Sequence, residues 1–304
     1  FGSSIMLKSL SCLRQHLIVL RVATLVGAAA QIAHGPDRGS WALVTSTLEE
    51  PWRIGVKSVA FVTGHVGTMK YLPPQPSTKH AFFVLDDEGK RWVPKALAMQ
   101  GWYVLRLPGK ADRDYVNATK RSKLAKIPQR KWPVLAKYDF IVWFDDKWRV
   151  NETAVFQFLK KWPKNAAMAL GRHPQRCKDT FPDCSVLEEF KVSMKQQRYR
   201  RQIREMRRYI AAQEKAGLKT SGHPIYQAGF MIYNQRHPAT QPLQAEWLKH
   251  ISACGIQDQI SFFFVAQLFA KHVIEFPGDW GIRVWDGNEH IDGPEGASLA
   301  MIVE

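Results

Sequence analysis

An α/β fold, a mostly parallel sheet flanked by helices in a single domain, is what this sequence predicts, and three observations predict it. Short apolar runs alternate along the chain with amphipathic stretches of helical spacing. The apolar runs are near-continuously hydrophobic, as strands covered on both faces require. Several of them end abruptly in polar residues, the pattern of strands whose carboxyl ends face a ligand.

The elements follow in chain order. "KSVAFVTGHVG" (57–67) is a β-branched strand running into a glycine-bearing loop. "LPPQP" is a rigid connection. "HAFFVLDDEG" (80–89) is a second strand closing on Asp86 and Asp87, and "GWYVLRLPG" (101–109) is a third. "DYVNATKRSKLAKIPQRKW" (114–132) reads as a basic helix or turn ending at Pro128. "YDFIVWFDD" (138–146) is the fourth strand, running straight into Asp145 and Asp146. "NETAVFQFLKKW" is a helix capped by Asn151 with Pro163 beyond its end. "NAAMALGRHP" is a short strand ending at His173. Residues 186–216 read as one long basic helix, Gly229 to Tyr233 as a strand, and 242–255 and 258–272 as two helices parted at Gly255.

The 304 residues suffice for one large domain with a real core, and 45% apolar content makes most of the chain globular. The formal net charge of +16 favours anionic partners. Half of that excess lies between Lys191 and Lys219, where ten Lys or Arg meet two Glu. That stretch is either a solvated helix face or a surface for a polyanion. Cys12, Cys177, Cys184 and Cys254 show no zinc spacing. Cys177 and Cys184 are close enough to pair in an oxidising compartment, but on these data alone the thiols are read as free.

The boundaries are a leader over 1–36, a linker over 37–56, the folded domain over 57–290 and a tail over 291–304. Within the leader, Leu17 to Ala33 is apolar apart from Arg21 and Gln31, which fits a signal peptide or short signal anchor. Arg21 weakens both readings, since a charge inside the span opposes insertion. The sequons at Asn117 and Asn151 are compatible with a secretory route.

In their order, "VAFVTGHVGTMKYLP", "AFFVLDDEG", "GWYVLRL", "KLAKIP", "KYDFIVWFDD", "RHPQRC…VLEEF", "IYQAGFMIYNQRH" and "IQDQISFFFVAQ" resemble the TOD/MUCI-type glycosyltransferase-like domain, catalogued as domain of unknown function 616. The match runs from about Val59 to Gln267. Two positions depart from the pattern: Asp146 stands where a small residue is usual, and Gln257 where an Arg is usual.

The resemblance implies a GT-A-like, Rossmann-type fold that binds a nucleotide sugar, with Mn²⁺ or Mg²⁺ at a DxD-like motif. It also implies a glycan or polysaccharide acceptor, such as a cell-wall polysaccharide, and residence in the Golgi or secretory pathway; if the leader is an anchor, the chain would be a single-pass type II membrane protein, and a cytoplasmic protein is the alternative. Asp145 and Asp146 are the expected metal ligands, because hard divalent ions favour carboxylate oxygens, with His237 a further candidate. The bland alternative for the pair is a polar turn. Thr63, Asp86 and Asp87 would hold the nucleotide, and Lys123 and Lys126 would act as point charges on the diphosphate. Asp258, Gln259, Glu188 and His173 are the candidate catalytic or acceptor-side residues. Asp258 is expected either as a base or sugar ligand or as a helix cap. Glu188 is expected in the site and Glu189 on a helix surface.

Two rival readings accompany this one. A basic protein binding nucleic acid or another polyanion without catalysis would explain the charge, but no nucleic-acid motif accompanies it, so no specific nucleic acid is expected as a partner. A lipid amidase, after a ceramidase described in the family, would want a His-rich ligand set, and no HExxH spacing is present.

Overall fold

The computed structural model describes residues 53–54, 57–66, 80–86, 93–107, 114–127, 132–146, 148–173, 184–276 and 283–284. The leader, the tail, Asp87 and Cys177 lie outside them. β1 (Arg53–Ile54) falls within the span expected as a linker and pairs antiparallel with β2 (Lys57–His65). β3 (Ala81–Leu85), α1 (Val93–Met99), β4 (Tyr103–Arg106), α2 (Tyr115–Lys126), β5 (Phe140–Phe144), β6 (Trp148–Arg149), α3 (Glu152–Lys160) and β7 (Met168–Arg172) follow. Then come α4 (Val186–Lys195), a 3-10 turn (Gln197–Gln202), α5 (Ile203–Lys215), β8 (Tyr226–Asn234), α6 (Thr240–Cys254), α7 (Asp258–Leu268), β9 (Val273–Glu275) and β10 (Arg283–Val284).

The expected class is what the chain forms. Seven strands lie in the order β4-β3-β2-β5-β8-β7-β9, and β1 joins from β2. β4, β3, β2 and β5 are mutually parallel, β8 runs against both β5 and β7, and β9 is again parallel to β7. The carboxyl ends of β2, β3, β5 and β7 therefore share one edge with the amino end of β8. α1 and β9 were not anticipated from the sequence: the first is a seven-residue helix with Pro94 near its start, and the second has only three residues. Neither is long enough to show a period.

Each sheet face is covered. On one face Ala60, Val62, Phe82 and Val84 pack with Trp247 and Phe262 of α6 and α7. On the other, Phe61, Phe83 and Val142 pack with Leu97 of α1 and Leu159 of α3. α7 is apolar on every side because it is enclosed: Phe262 and Val265 face the sheet, while Ile260, Phe263 and Phe264 face α4 and α5. This third layer explains why "QISFFFVAQ" carries no polar stripe.

The long helix expected over 186–216 is broken. Gln196 is extended (φ −90°, ψ 126°), and the chain restarts through the 3-10 turn. The cause is a slip in apolar phase. Phe190 and Met194 are four apart and Tyr199, Ile203, Met206 and Ile210 recur at three or four, but Met194 to Tyr199 is five. A straight helix would turn one run to solvent, and the break lets Phe190, Tyr199, Met206 and Ile210 all bury. Cys184 is disulfide-bonded, which corrects the reading of it as a free thiol, whereas Cys254 is free and buried. Among the described residues no helix is long and apolar enough to cross a membrane.

Candidate functional site

The pair at the end of β5 is both a turn and a site edge. The Asp145 carbonyl accepts the Trp148 N–H at 2.9 Å, so the chain turns directly after the strand. The Asp145 N–H bonds the Gly229 carbonyl at 2.8 Å, which ties the turn to β8. A Cβ on Gly229 would lie 3.2 Å from Asp145 Oδ2 and 3.3 Å from Trp148 Cζ2, so glycine admits the carboxylate there. The Asp145 side chain remains 34% exposed and accepts from Trp143 Nε1 at 3.3 Å. Asp146 bonds His65 Nδ1 at 2.5 Å, joining the ends of β5 and β2.

Beneath this edge lies a buried charge cluster. Lys123 and Lys126, one turn apart at the end of α2, both reach Asp258 Oδ2, at 3.0 and 2.7 Å. Lys126 Nζ also bonds the Ala228 carbonyl at 2.8 Å and lies 3.9 Å from Asp145 Oδ1. The two ammonium groups thus share the charges of two carboxylates. Burial lowers Lys123 below the ordinary lysine range, and Asp258 only partly offsets it. For Lys126 burial acts the same way but is outweighed by Asp258 and Asp145, so it is held above that range. Burial by itself would raise Asp258, yet Lys123 and Lys126 hold it well below the carboxylate range. Both lysines lie in the last turn of α2, where cations also suit the helix dipole.

Asp258 is the first helical residue of α7 rather than its cap. Gln257 holds the cap position without a side-chain cap bond, and the Asp258 carboxylate turns to the lysines instead. The cap expectation is corrected accordingly. Gln257 donates to Glu189 Oε1 at 2.7 Å and to Ser193 Oγ at 3.0 Å.

Asp86, at the end of β3, is clamped by Arg121 of α2: Nε to Oδ2 is 3.1 Å and Nη2 to Oδ1 is 2.7 Å. Thr63 is fully buried, and its hydroxyl finds no hydrogen-bond partner among the described residues. Asp87 lies outside them.

The expected residues do not all converge. Thr63, Asp86, Asp145, Asp146, Lys123, Lys126 and Asp258 are placed along or below the carboxyl edge. His173 ends β7 on the same edge, its N–H donating to the Ile225 carbonyl at 2.7 Å, but β8 separates it from β5. Two strand spacings are about 10 Å. Gln259 is half-buried on α7. His237 is a correction: it follows the carboxyl end of antiparallel β8, where Asn234 pairs with Phe140 at the start of β5. It therefore lies at the opposite sheet edge, its ring 5.1 Å from that of His272 and inclined to it by 55°, and cannot join Asp145 around one ion. Glu188 and Glu189 are also reversed. Glu188 is 52% exposed and paired with Lys191, while Glu189 is buried against Gln257.

Two participants were missed, His65 and Arg121, and Gln257 was noted only as a departure from the resembled pattern. His65 sits two residues beyond Thr63 on β2, so strand alternation places both on one face of the sheet. Arg121 falls two residues before Lys123 on a helix already singled out.

Among the described residues, no group of three or more His, Cys, Asp or Glu is arranged as a metal cage. Asp145, whose carboxylate stays partly exposed, fits an ion of another kind, while Asp146 Oδ2 is engaged by His65. Mg²⁺ and similar ions are commonly held by one or two carboxylates, with substrate phosphates and waters completing the shell. A half-exposed carboxylate at a strand end supplies such a donor.

No family model and no curated protein sequence matches the chain. Among solved structures, the chain is similar to mouse xyloside xylosyltransferase 1 in its apo form, with a TM-score of 0.42 and 11% identity over 73% of this chain and 87% of that one. It is also similar to the apo structure of WbbM, a bifunctional glycosyltransferase, with a TM-score of 0.41 and 12% identity over 80% of this chain. It spans 44% of the WbbM chain. Likenesses this distant carry no weight for activity, which has to rest on the site.

Proposed function

We propose that the chain is a metal-dependent glycosyltransferase that moves a sugar from a nucleotide-sugar donor to a glycan or polysaccharide acceptor. One observation carries the reading: the half-exposed carboxylate of Asp145 lies 3.9 Å from Lys126 Nζ at the carboxyl edge of the sheet. A nucleotide diphosphate needs positive charge at the bond that breaks, and it meets both a divalent-ion donor and a lysine there.

Asp145 and Asp146 would hold Mn²⁺ or Mg²⁺, which would neutralise the leaving diphosphate. Lys126, charged at neutral pH and buried behind Asp145, would add to that neutralisation through its field. Asp258 fixes Lys123 and Lys126 in place and prevents their mutual repulsion. Held below the usual carboxylate range, Asp258 is a weak proton acceptor, so in this proposal it positions the lysines and does not deprotonate the acceptor. Thr63, whose buried hydroxyl lacks a partner among the described residues, lies near the end of β2, the strand beside β5, and Asp86, fixed by Arg121, follows β3, one strand further out; both would serve the nucleoside. The disulfide at Cys184 supports an oxidising compartment, so residence in the Golgi or secretory pathway is part of the proposal.

The test is a thermal-shift screen of nucleotide sugars with and without Mn²⁺, on the wild type and Asp145→Asn. At a hundredfold excess over Kd a bound donor adds about 2.7 kcal/mol. Stabilisation by at least one nucleotide sugar is expected in the wild type only with Mn²⁺, and it should vanish in Asp145→Asn, whose unliganded stability should fall by no more than about 1 kcal/mol, the range for a partly exposed pair. No shift with any nucleotide sugar would remove the reading.

A further inference from the structure

We infer that the outer face of the 3-10 turn and α5 is a binding track for an acidic polysaccharide, leading to the edge where Asp258 and Asp145 lie. Arg200, Arg201, Arg204, Arg207 and Arg208 are all exposed there. On α5 the positions 204, 207, 208 and 215 recur at helical spacing, so Arg204, Arg207, Arg208 and Lys215 form one stripe, about 16 Å long. Little of that charge is neutralised. Arg208 reaches Glu205 at 3.5 Å and Arg201 reaches Asp114 at 3.4 Å, both pairs largely solvated. Arg200 and Arg204 make no ion pair among the described residues. Arg207 lies over the Phe190 ring at 6.0 Å, which steadies it without cancelling its charge.

The track adjoins the site through a fixed turn. Gln202, the last residue of the 3-10 turn, accepts the Ile256 N–H at 2.8 Å. Its amide lies against Gly255, whose φ is +106° and where a Cβ would approach Gln202 Oε1 to 2.8 Å. Gln257, next along, is held by Glu189 and Ser193 of α4, and the chain then enters α7 at Asp258. The same backbone turn thus meets the arginine-bearing segment on one side and the lysine-bound carboxylate on the other.

Chemistry selects the partner. The apolar side of α5 is already used, since Met206, Tyr209 and Ile210 are buried in the core, so nothing remains to insert into a bilayer. Both tyrosines of the segment, Tyr199 and Tyr209, are buried as well, so the segment itself presents no aromatic platform for bases. A row of solvated guanidinium groups fits spaced carboxylates or sulfates on a flexible chain, and Arg binds these bidentately.

The inference rests on the transferase reading for its direction, but its test does not need transfer. Binding of alginate fragments, as a carboxylated polysaccharide, is measured at increasing salt against neutral dextran, duplex DNA and phosphatidylserine vesicles. The protein should bind alginate in preference to all three at physiological salt. Arg200→Glu, Arg204→Glu and Arg208→Glu together should weaken alginate binding on the order of tenfold or more, as exposed ion pairs are lost and reversed, and should flatten its salt dependence. The Mn²⁺-dependent donor shift should persist in that variant. Unchanged alginate binding overturns the inference, as does tighter binding of DNA or vesicles, or loss of the donor shift together with alginate binding. A wild type with no donor shift sinks the transferase reading instead, whatever alginate does.

Discussion

Lys126 Nζ and Asp258 Oδ2 are 2.7 Å apart, and both groups are almost wholly removed from solvent. Lys123 reaches the same oxygen at 3.0 Å. The end of α2 and the start of α7 are thereby joined by charge beneath the strand that carries Asp145. Such a cluster tolerates loss of one member poorly, because what remains is a charge without compensation.

Asp258→Asn is therefore expected to cost about 3–5 kcal/mol in denaturant unfolding, the range for breaking a buried ion pair. Ser should not rescue it, because Asp258 does not cap α7. Adding Lys123→Met should recover part of the loss by removing one stranded ammonium. An Asp258→Asn protein as stable as the wild type would show that the lysines find other partners.

Gly229→Ala tests the approach of β8 to Asp145. The new Cβ would press on Asp145 Oδ2 and on the Trp148 ring. A stability loss of about 1–3 kcal/mol, typical of overpacking, is expected. Donor affinity should fall further than stability does, since the displaced group is the carboxylate itself. Calorimetric titration of a nucleotide sugar with Mn²⁺ would show whether the two effects separate.

Glu188→Gln and Glu189→Gln should behave oppositely. Glu188 belongs to an exposed pair with Lys191, so its loss should change melting by less than about 1 kcal/mol and leave turnover alone. Glu189 accepts from Gln257, so its loss should disturb the turn before α7 and lower both melting temperature and rate. Equal behaviour of the two variants would contradict the burial difference between them.

Acid should unfold the protein through particular carboxylates. Burial opposes the charge on Asp139, yet Arg236 and Ser58 hold it below its ordinary range. Asp258 is held lower still by its lysines. Both groups bind protons more readily in the unfolded chain, so their stabilisation is complete above a pH of about 4, the unfolded value, and is lost as the pH falls through the folded values. Lys126 has the opposite sign: its stabilisation is complete below a pH of about 10.4 and is lost above that. Melting temperature against pH should fall at both ends, and Asp139→Asn should flatten the acid limb.

Much of this architecture was legible in the sequence because single residues marked it. Asn151 caps α3 through Ala154 N–H as its position before an apolar period implied. The runs ending at Asp86 and Asp145 are strands with those residues at their carboxyl ends. The direction of β8 was not legible, since "GFMIY" reads the same either way, and that is why His237 was placed at the wrong edge. Long-range charge pairing was hidden for a similar reason. Lys123, Lys126 and Asp258 were each singled out, but nothing in the spacing of α2 and α7 says that they meet. The break at Gln196 was written in the five-residue step from Met194 to Tyr199, a signal that helix propensity and charge obscured.

Because β8 runs against its neighbours, it offers the site its beginning rather than its end, and it does so with main chain. The carbonyl of Ala228 receives Lys126, and the carbonyl of Gly229 receives the N–H of Asp145. These two acceptors have no genetic signature. Truncating side chains one at a time across the site would leave both intact and would score the strand as inert. Only replacing the peptide link itself, for instance by an ester that weakens the carbonyl as an acceptor, would reveal how much of the carboxylate's placement depends on them.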